Sequence, residues 1–230
     1  MQAEVERIRQ MYAERDLNPV IQERWAPFAE DEADHRNQQY WSMAQMFRRI
    51  GKSSLAGLKI LDVGCGQGRF LRACLDMGAS PQNLVGVDLH SAAIEEARRL
   101  SPQLRFHLGT GSELNFADGE FDLVTQFVVF SSIFHSGLRQ RLAAEMFRVL
   151  RPGGYIFWWD LMITVAKSSP EPLRPRELFS RTPYRESDHA LRPKLSSCMK
   201  LPSRLRAVGG LIDWLGYSPT HIAALIGPKT

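Results

Sequence analysis

The chain has 230 residues, 44% of them hydrophobic, and a formal net charge of +4, the size of one domain with a sizeable core and room for an appended cap. Its three cysteines, Cys65, Cys74 and Cys198, form no CxxC pair and leave one over in any pairing, so neither a disulfide framework nor a zinc site is expected and a reducing compartment is. The first residues, Met1 to Arg7, are charged where a signal peptide needs an apolar core, and no stretch reaches the roughly 18 apolar residues of a membrane span, so a cytoplasmic protein is expected.

Residues 4–16 carry Val5, Ile8, Met11 and Tyr12 at helical spacing, and residues 35–50 carry Tyr40, Trp41, Ala44, Phe47 and Ile50 in the same way, which predicts two amphipathic helices within residues 1–50. From Leu58 onward strands alternate with helical patterns. The strands are Lys59–Val63, Leu84–Asp88, Leu104–Leu108, Phe121–Phe127 and Tyr155–Asp160, and the helices are Phe70–Met77, Ala92–Leu100 and Leu138–Leu150. Such alternation over 58–160 predicts a doubly wound, mostly parallel α/β sheet with helices on both faces. Pro152-Gly153-Gly154 is expected to end the last of these helices and start the fifth strand.

Residues 166–207 change character. Six prolines break any long helix there, which predicts a loop-rich insertion with a short strand at Ser187–Leu191 and a helix starting near Leu201. Between Lys167 and Arg206 ten basic residues face four acidic ones, so this segment holds +6 and the rest of the chain −2. The stretch either attracts an anionic acceptor, nucleic acid or acidic surface, or is a solvated loop. In 208–230, the apolar run His221–Ile226 reads as a final strand. All of 1–230 is expected to form one domain.

The most informative segment is Lys59-Ile-Leu-Asp-Val-Gly-Cys-Gly-Gln-Gly-Arg69, an apolar strand that opens into a glycine-dense turn and then a helix. Gly64, Gly66 and Gly68, with Cys65 between the first two, let the backbone turn sharply and approach a ligand. A second strand ends in Asp88, about 20 residues on, where a ribose-binding carboxylate belongs in such folds. A dinucleotide fingerprint is G-x-G-x-x-G, but here Arg69 stands where the third glycine is expected, so a nicotinamide-dependent reductase is the poorer reading.

This loop, with Asp62 and Asp88, resembles motif I and the following acidic position of class I S-adenosylmethionine-dependent methyltransferases. Phe116-Ala-Asp-Gly-Glu-Phe-Asp-Leu-Val124 and Val149-Leu-Arg-Pro-Gly-Gly-Tyr155 resemble that family's approaches to its fourth and fifth strands. The resemblance implies a Rossmann-like sheet with an antiparallel last strand, and N-terminal helices that fold over the cofactor as a lid, with Tyr12 and Trp41 as lid candidates. It implies S-adenosyl-L-methionine as cofactor and S-adenosyl-L-homocysteine as product. Gly64 and Gly66 would lie against the methionine part, Asp62 would orient its ammonium, Asp88 would take the ribose hydroxyls and Leu89 would pack on adenine. The family often has an acidic residue at the adenine amino group; here Thr110 stands at that position, with Gly111 and Ser112 beside it.

Methyl transfer needs the cofactor gripped, the acceptor aimed and a hydroxyl acceptor deprotonated. Ligands of open α/β sheets lie beyond the strand carboxyl ends, so Gln126 and Phe127 should face the transferred methyl. His135 is the leading general-base candidate because imidazole titrates near neutrality; the bland alternative is a surface histidine before a helix capped by Ser136. Asp160 is the second candidate, against a capping role, and His189 the third. The expected activity is O-methylation of a small or medium acceptor with phosphate or carboxylate on it, such as a sugar, lipid precursor or secondary metabolite. A nucleic-acid methyltransferase and a non-catalytic cofactor-binding partner protein are the alternatives. The former lacks an Asn-Pro-Pro-Tyr-like motif and an RNA-binding appendage.

Overall fold

The computed structural model describes residues 1–24, 26, 29–161, 175–179, 184–185 and 221–229. Three helices come first: α1 (Gln2–Leu17), α2 (Pro19–Arg24) and α3 (Glu30–Arg49). Then β1 (Ile60–Val63), α4 (Arg69–Asp76), β2 (Leu84–Asp88), α5 (Ser91–Leu100), β3 (Arg105–Leu108), β4 (Phe121–Phe127), α6 (Ser136–Val149) and β5 (Leu150–Leu161) alternate. Short α7 (Pro175–Leu178) and β6 (Tyr184–Arg185) precede β7 (His221–Ile226).

The strands form one sheet in the order β3-β2-β1-β4-β5-β7-β6. All pairings from β3 to β5 are parallel, and β7 runs antiparallel to β5 and β6. The strands are apolar on both sides because both sides are covered. Leu61, Val63, Val85, Val87, Val124 and Trp158 face one core, which α1, α6 and α7 complete. Ile60, Leu84, Leu123, Phe157 and Trp159 face the other, under α3, α4 and α5. Trp158 and Trp159 fit on the two faces of β5, each opposite a small partner on β7, Ala224 and Ala223 respectively.

The final strand and the parallel core follow the expected pattern. β5, however, begins at Leu150 rather than Tyr155, because Leu150 already pairs with Phe121 before a register shift carries the ladder through the Pro-Gly-Gly stretch. The predicted strand at Ser187–Leu191 and the helix near Leu201 lie outside the described residues, as does most of the basic segment. On the side of β7 away from β5 the partner is Tyr184–Arg185, two residues, too short for any periodicity to announce. α6 is capped by His135, whose Nδ1 accepts from the Leu138 N–H at 3.3 Å, rather than by Ser136.

The far end of α6 is closed by Lys229, whose Nζ donates to the carbonyls of Phe147 (2.8 Å), Arg148 (3.3 Å) and Leu150 (2.6 Å). A cation among the last carbonyls of a helix satisfies acceptors that have no partner within it and opposes its dipole. Lys229→Ala is therefore expected to destabilise the protein by about 1–2 kcal/mol, read as a lower urea midpoint with an unchanged slope.

Candidate functional site

Parallel strands bring all their carboxyl ends to one edge, and β1 and β4 are neighbours there because the chain reverses its winding direction between them. Such a switch point leaves a crevice. From the end of β1, Gly64 at φ +76° sends its N–H to the Val87 carbonyl at 2.8 Å, and Cys65 shares that acceptor at 3.1 Å. A Cβ on Gly64 would stand 2.3 Å from Val129 Cγ2, so the loop's approach to the β4 side admits no side chain. Gly66, at φ +51°, is different: nothing lies within 4 Å of where its Cβ would be. Its backbone faces open space, as a ligand-cradling turn must. Gly68 is the left-handed N-cap of α4.

Asp88 joins this loop to the next. Its Oδ2 accepts from the Gly66 N–H at 2.8 Å and its Oδ1 from the His90 N–H at 2.9 Å. Each oxygen keeps lone pairs for another donor. Burial pushes its pKa up, against the pull of those N–H groups. Asp62 lies deeper, 2% exposed, with the Thr125 hydroxyl donating to Oδ1 at 2.7 Å. Burial, opposed by that bond and reinforced by the Asp88 charge, pushes the Asp62 pKa up to about 7. A buried carboxyl with one neutral donor and, among the described residues, no cation bonded to it is a place where an ammonium would be stabilised.

The other predicted positions divide. Leu89 is half-buried against the α1/α6 core. Thr110 accepts from the Ser112 hydroxyl at 3.3 Å, while Gly111 is pressed against the core, a Cβ there falling 2.5 Å from Leu142. Cys65 is buried beside Gly86, its thiol pushed well up by burial, which makes it an inert packing group. Gln126 is fully buried and spends its amide on the backbone: Nε2 donates to the Trp159 carbonyl at 3.2 Å and Oε1 accepts from the Val129 N–H at 3.0 Å. It holds the turn at Val128, a β-branched residue at φ +59° whose own N–H reaches the Trp159 carbonyl at 2.8 Å. Strain of this kind persists only where its surroundings over-determine it. Phe127 packs between Phe70 (4.6 Å between ring centroids) and Phe157 (5.6 Å).

His135 is exposed and turned onto its own helix. Because Nδ1 accepts, the neutral ring carries its proton on Nε2, so neither nitrogen is poised to take one. Asp160 is fully buried at the end of β5, with Oδ2 accepting from the Phe130 N–H (2.9 Å) and Oδ1 from the Leu161 N–H (2.8 Å). Burial, offset mainly by a bond with the Ser131 side chain, raises its pKa to about 6. His189 lies outside the described residues.

The helix α1 reaches both flanks of the crevice. Near its start, Glu4 Oε1 accepts from the Phe134 N–H at 2.5 Å, and Arg7 donates to the Ser132 carbonyl at 2.6 Å. Near its end, Asp16 meets His90 Nε2 at 3.2 Å. Between them Tyr12 stacks on His90, 5.9 Å centroid to centroid, hydrogen-bonds Ser132 and feels the charges of Asp88 and Asp160. Tyr12 is thus brought to the site, whereas Trp41 is 53% exposed and is not. Sequence reading did not single out His90 or Thr125; His90 follows Asp88 by two residues, the one signal that could have raised it. It also missed His35 and His221, whose rings lie 4.6 Å apart beside Trp159.

The family model described as "Methyltransferase domain" matches residues 60–154. An O-methyltransferase of Aspergillus nomiae, rstn1, is 31% identical over 153 residues, 63% of this chain and 66% of its own length. Phthiotriol/phenolphthiotriol dimycocerosates methyltransferase 1 of Mycobacterium ulcerans is 36% identical over 109 residues, 46% of this chain and 39% of its own. The chain therefore spans between about two fifths and just under two thirds of the length of these two relatives. A Mesorhizobium loti S-adenosylmethionine-dependent methyltransferase superposes with a TM-score of 0.58 at 18% identity, over 80% of this chain and 97% of that one, a likeness of fold. Residues 60–154 thus match a methyltransferase domain, in a fold shared with S-adenosylmethionine-dependent methyltransferases. No helix among the described residues is long and apolar enough to cross a membrane.

The Asp62 shift predicts a pH dependence for any ligand cation held there. Were this carboxyl to hold the cofactor's ammonium, it would do so ionised, and below pH 7 binding would first release a proton. The affinity for S-adenosylhomocysteine is expected to fall roughly tenfold between pH 7.5 and 6, with a shallower slope in Asp62→Asn. The sign is fixed by the raised pKa: the folded carboxyl keeps its proton up to about 7 against an ordinary value of 3.8. Calorimetry across the range measures it, and a flat profile in the unsubstituted protein contradicts this role for Asp62.

Proposed function

We propose that this chain is a cytoplasmic enzyme that methylates a hydroxyl oxygen of a small or medium molecule, with S-adenosylmethionine as donor. The observation that carries the reading is the Asp88 carboxylate, which ties Gly66 to His90 and keeps lone pairs toward the space that opens over Gly66. The cofactor supplies the activated methyl: its carbon–sulfur bond breaks as a carbon–oxygen bond forms, and the hydroxyl gives up its proton. Gly64 and Gly66 bear on the methionine part, Asp62 on its ammonium and Asp88 on the ribose hydroxyls. Leu89 packs on adenine, with Thr110 and the Gly111–Ser112 backbone at its edge. Gln126 and Phe127 keep the end of β4 fixed where the methyl lies. Most of the acceleration then comes from orientation, the largest contribution available to a reaction with no covalent intermediate.

Tyr12 and α1 close over the bound cofactor and keep water away. Asp160 takes the hydroxyl proton: its burial brings it near the pKa at which a carboxylate is ionised at neutral pH yet basic enough to accept. His135 serves as the cap of α6. Oxygen as the methylated atom is supported by two relatives, the Aspergillus nomiae O-methyltransferase and a second O-methyltransferase from Aspergillus sclerotiorum, 32% identical over 148 residues. Two free buried cysteines, Cys65 and Cys74, suit a reducing compartment. The chain acts as one domain, its N-terminal helix and last strand sharing cores with the central sheet.

The test is turnover of methyl-labelled S-adenosylmethionine against a panel of hydroxylated small molecules, neutral and anionic. Label on oxygen with stoichiometric release of S-adenosylhomocysteine is expected. In Asp160→Asn, kcat should drop about a hundredfold and lose its pH dependence near 6 while cofactor affinity stays. Cofactor binding with no product from any hydroxyl acceptor would favour a non-catalytic partner protein instead.

A further inference from the structure

One strand beyond the methyl-facing end of β4 lies a polar cluster that the cofactor site does not use. Trp159 of β5 is the register partner of Phe127 of β4, so the two are adjacent across the ladder, about 5 Å apart. Because β7 runs antiparallel, its first residue, His221, pairs with Leu161 and reaches the same sheet edge. On the face occupied by α3, the His221 ring stacks on the Trp159 indole at 5.5 Å, and His35 of α3 closes against both, at 4.6 and 6.0 Å.

The hydrogen bonds of this cluster fix what it can accept. Trp159 Nε1–H donates to His35 Nε2 at 3.1 Å, so the neutral His35 ring carries its proton on Nδ1 and presents a donor there. Burial holds His35 down at about 4 and His221 at about 3, the latter also through its neighbour, so both rings are uncharged at neutral pH. One helical turn along, on the same side of α3, the Oε1 of Gln38 is buried without a hydrogen-bond partner among the described residues. Unpaired buried acceptors are uncommon because they forfeit their hydration, and each calls for a group that fills it.

A donor at His35 Nδ1 and an unmet acceptor at Gln38 Oε1, one turn apart, ask for one ligand atom that both accepts and donates. A hydroxyl does both. A carboxylate or phosphate only accepts, and an ammonium only donates. We propose that His35 and Gln38, backed by Trp159 and His221, form an acceptor subsite that reads a neutral hydroxyl and discriminates against charged groups. This rests on the methyltransferase reading and narrows its acceptor to an uncharged, hydroxyl-bearing molecule.

The test uses three probes of similar shape, phenol, benzoate and benzylammonium, titrated into the protein saturated with S-adenosylhomocysteine. The His35 and His221 imidazole and Trp159 indole resonances are followed. Phenol is expected to shift them saturably, with benzoate and benzylammonium at least tenfold weaker. Gln38→Leu and His35→Phe should each weaken phenol at least tenfold, Gln38→Leu serving if His35→Phe fails to fold. No shift with phenol would mean that a buried water alone fills the gap, and would overturn the proposal. So would equal responses to the three probes, or unchanged phenol affinity in Gln38→Leu. Calorimetry with S-adenosylhomocysteine separates the two levels: protein that binds it and ignores phenol loses this subsite alone, while protein that binds neither loses the methyltransferase reading itself.

Discussion

Two N–H groups converge on one carboxylate. Asp88 receives Gly66 from the loop after β1 and His90 from the loop after β2, and the geometry of the crevice follows from that pairing. The loop can reach because Gly64 turns at positive φ and hands its N–H to Val87, the residue before Asp88. His90, held by the same carboxylate, is then in position to stack on Tyr12 and meet Asp16. An interaction between two loops thereby sets where the N-terminal helix can lie.

The opposite flank is organised by a second set of buried polar side chains that serve the backbone. Gln126 and Asp160 between them hold the N–H groups of Val129, Phe130 and Leu161, and Gln126 also donates to the Trp159 carbonyl. They fix a turn in which Val128 is kept at a φ that its branched side chain disfavours. α1 then fastens to this turn's continuation through Glu4 and Arg7. Rigid loops on both sides of an opening, joined by one helix, are what a site needs to hold two reactants at a fixed separation.

The parts legible in the sequence were those with short-range causes. β1, β2 and β4 are mostly apolar on both faces because both faces are covered, and the Gly64–Gly68 turn announces itself through glycines that sterics require. Asp62 and Asp88 stand where strands end, so their position at the sheet edge follows from topology alone. What could not be read depends on partners far apart in the chain. Gln126 looks like a ligand-facing polar residue at a strand end, yet its amide is consumed by backbone groups that only β5 and the turn supply. Nothing local to His35 or His221 says that they meet, since α3 and β7 come together only once the sheet has formed. From sequence His135 is a general-base candidate or else a surface histidine before a helix capped by Ser136; in the fold its own ring is the cap, a choice between neighbours that pattern cannot make.

The central claim is that the crevice above Gly66 binds S-adenosylmethionine through Asp88. Calorimetric titration of the protein and of Asp88→Ala with S-adenosylmethionine, S-adenosylhomocysteine and NADH measures it most directly. Saturable binding of the first two, lost or weakened at least a hundredfold in Asp88→Ala with the fold retained by circular dichroism, is the result this account predicts. Binding of NADH alone, or cofactor affinity indifferent to the loss of Asp88, would contradict it.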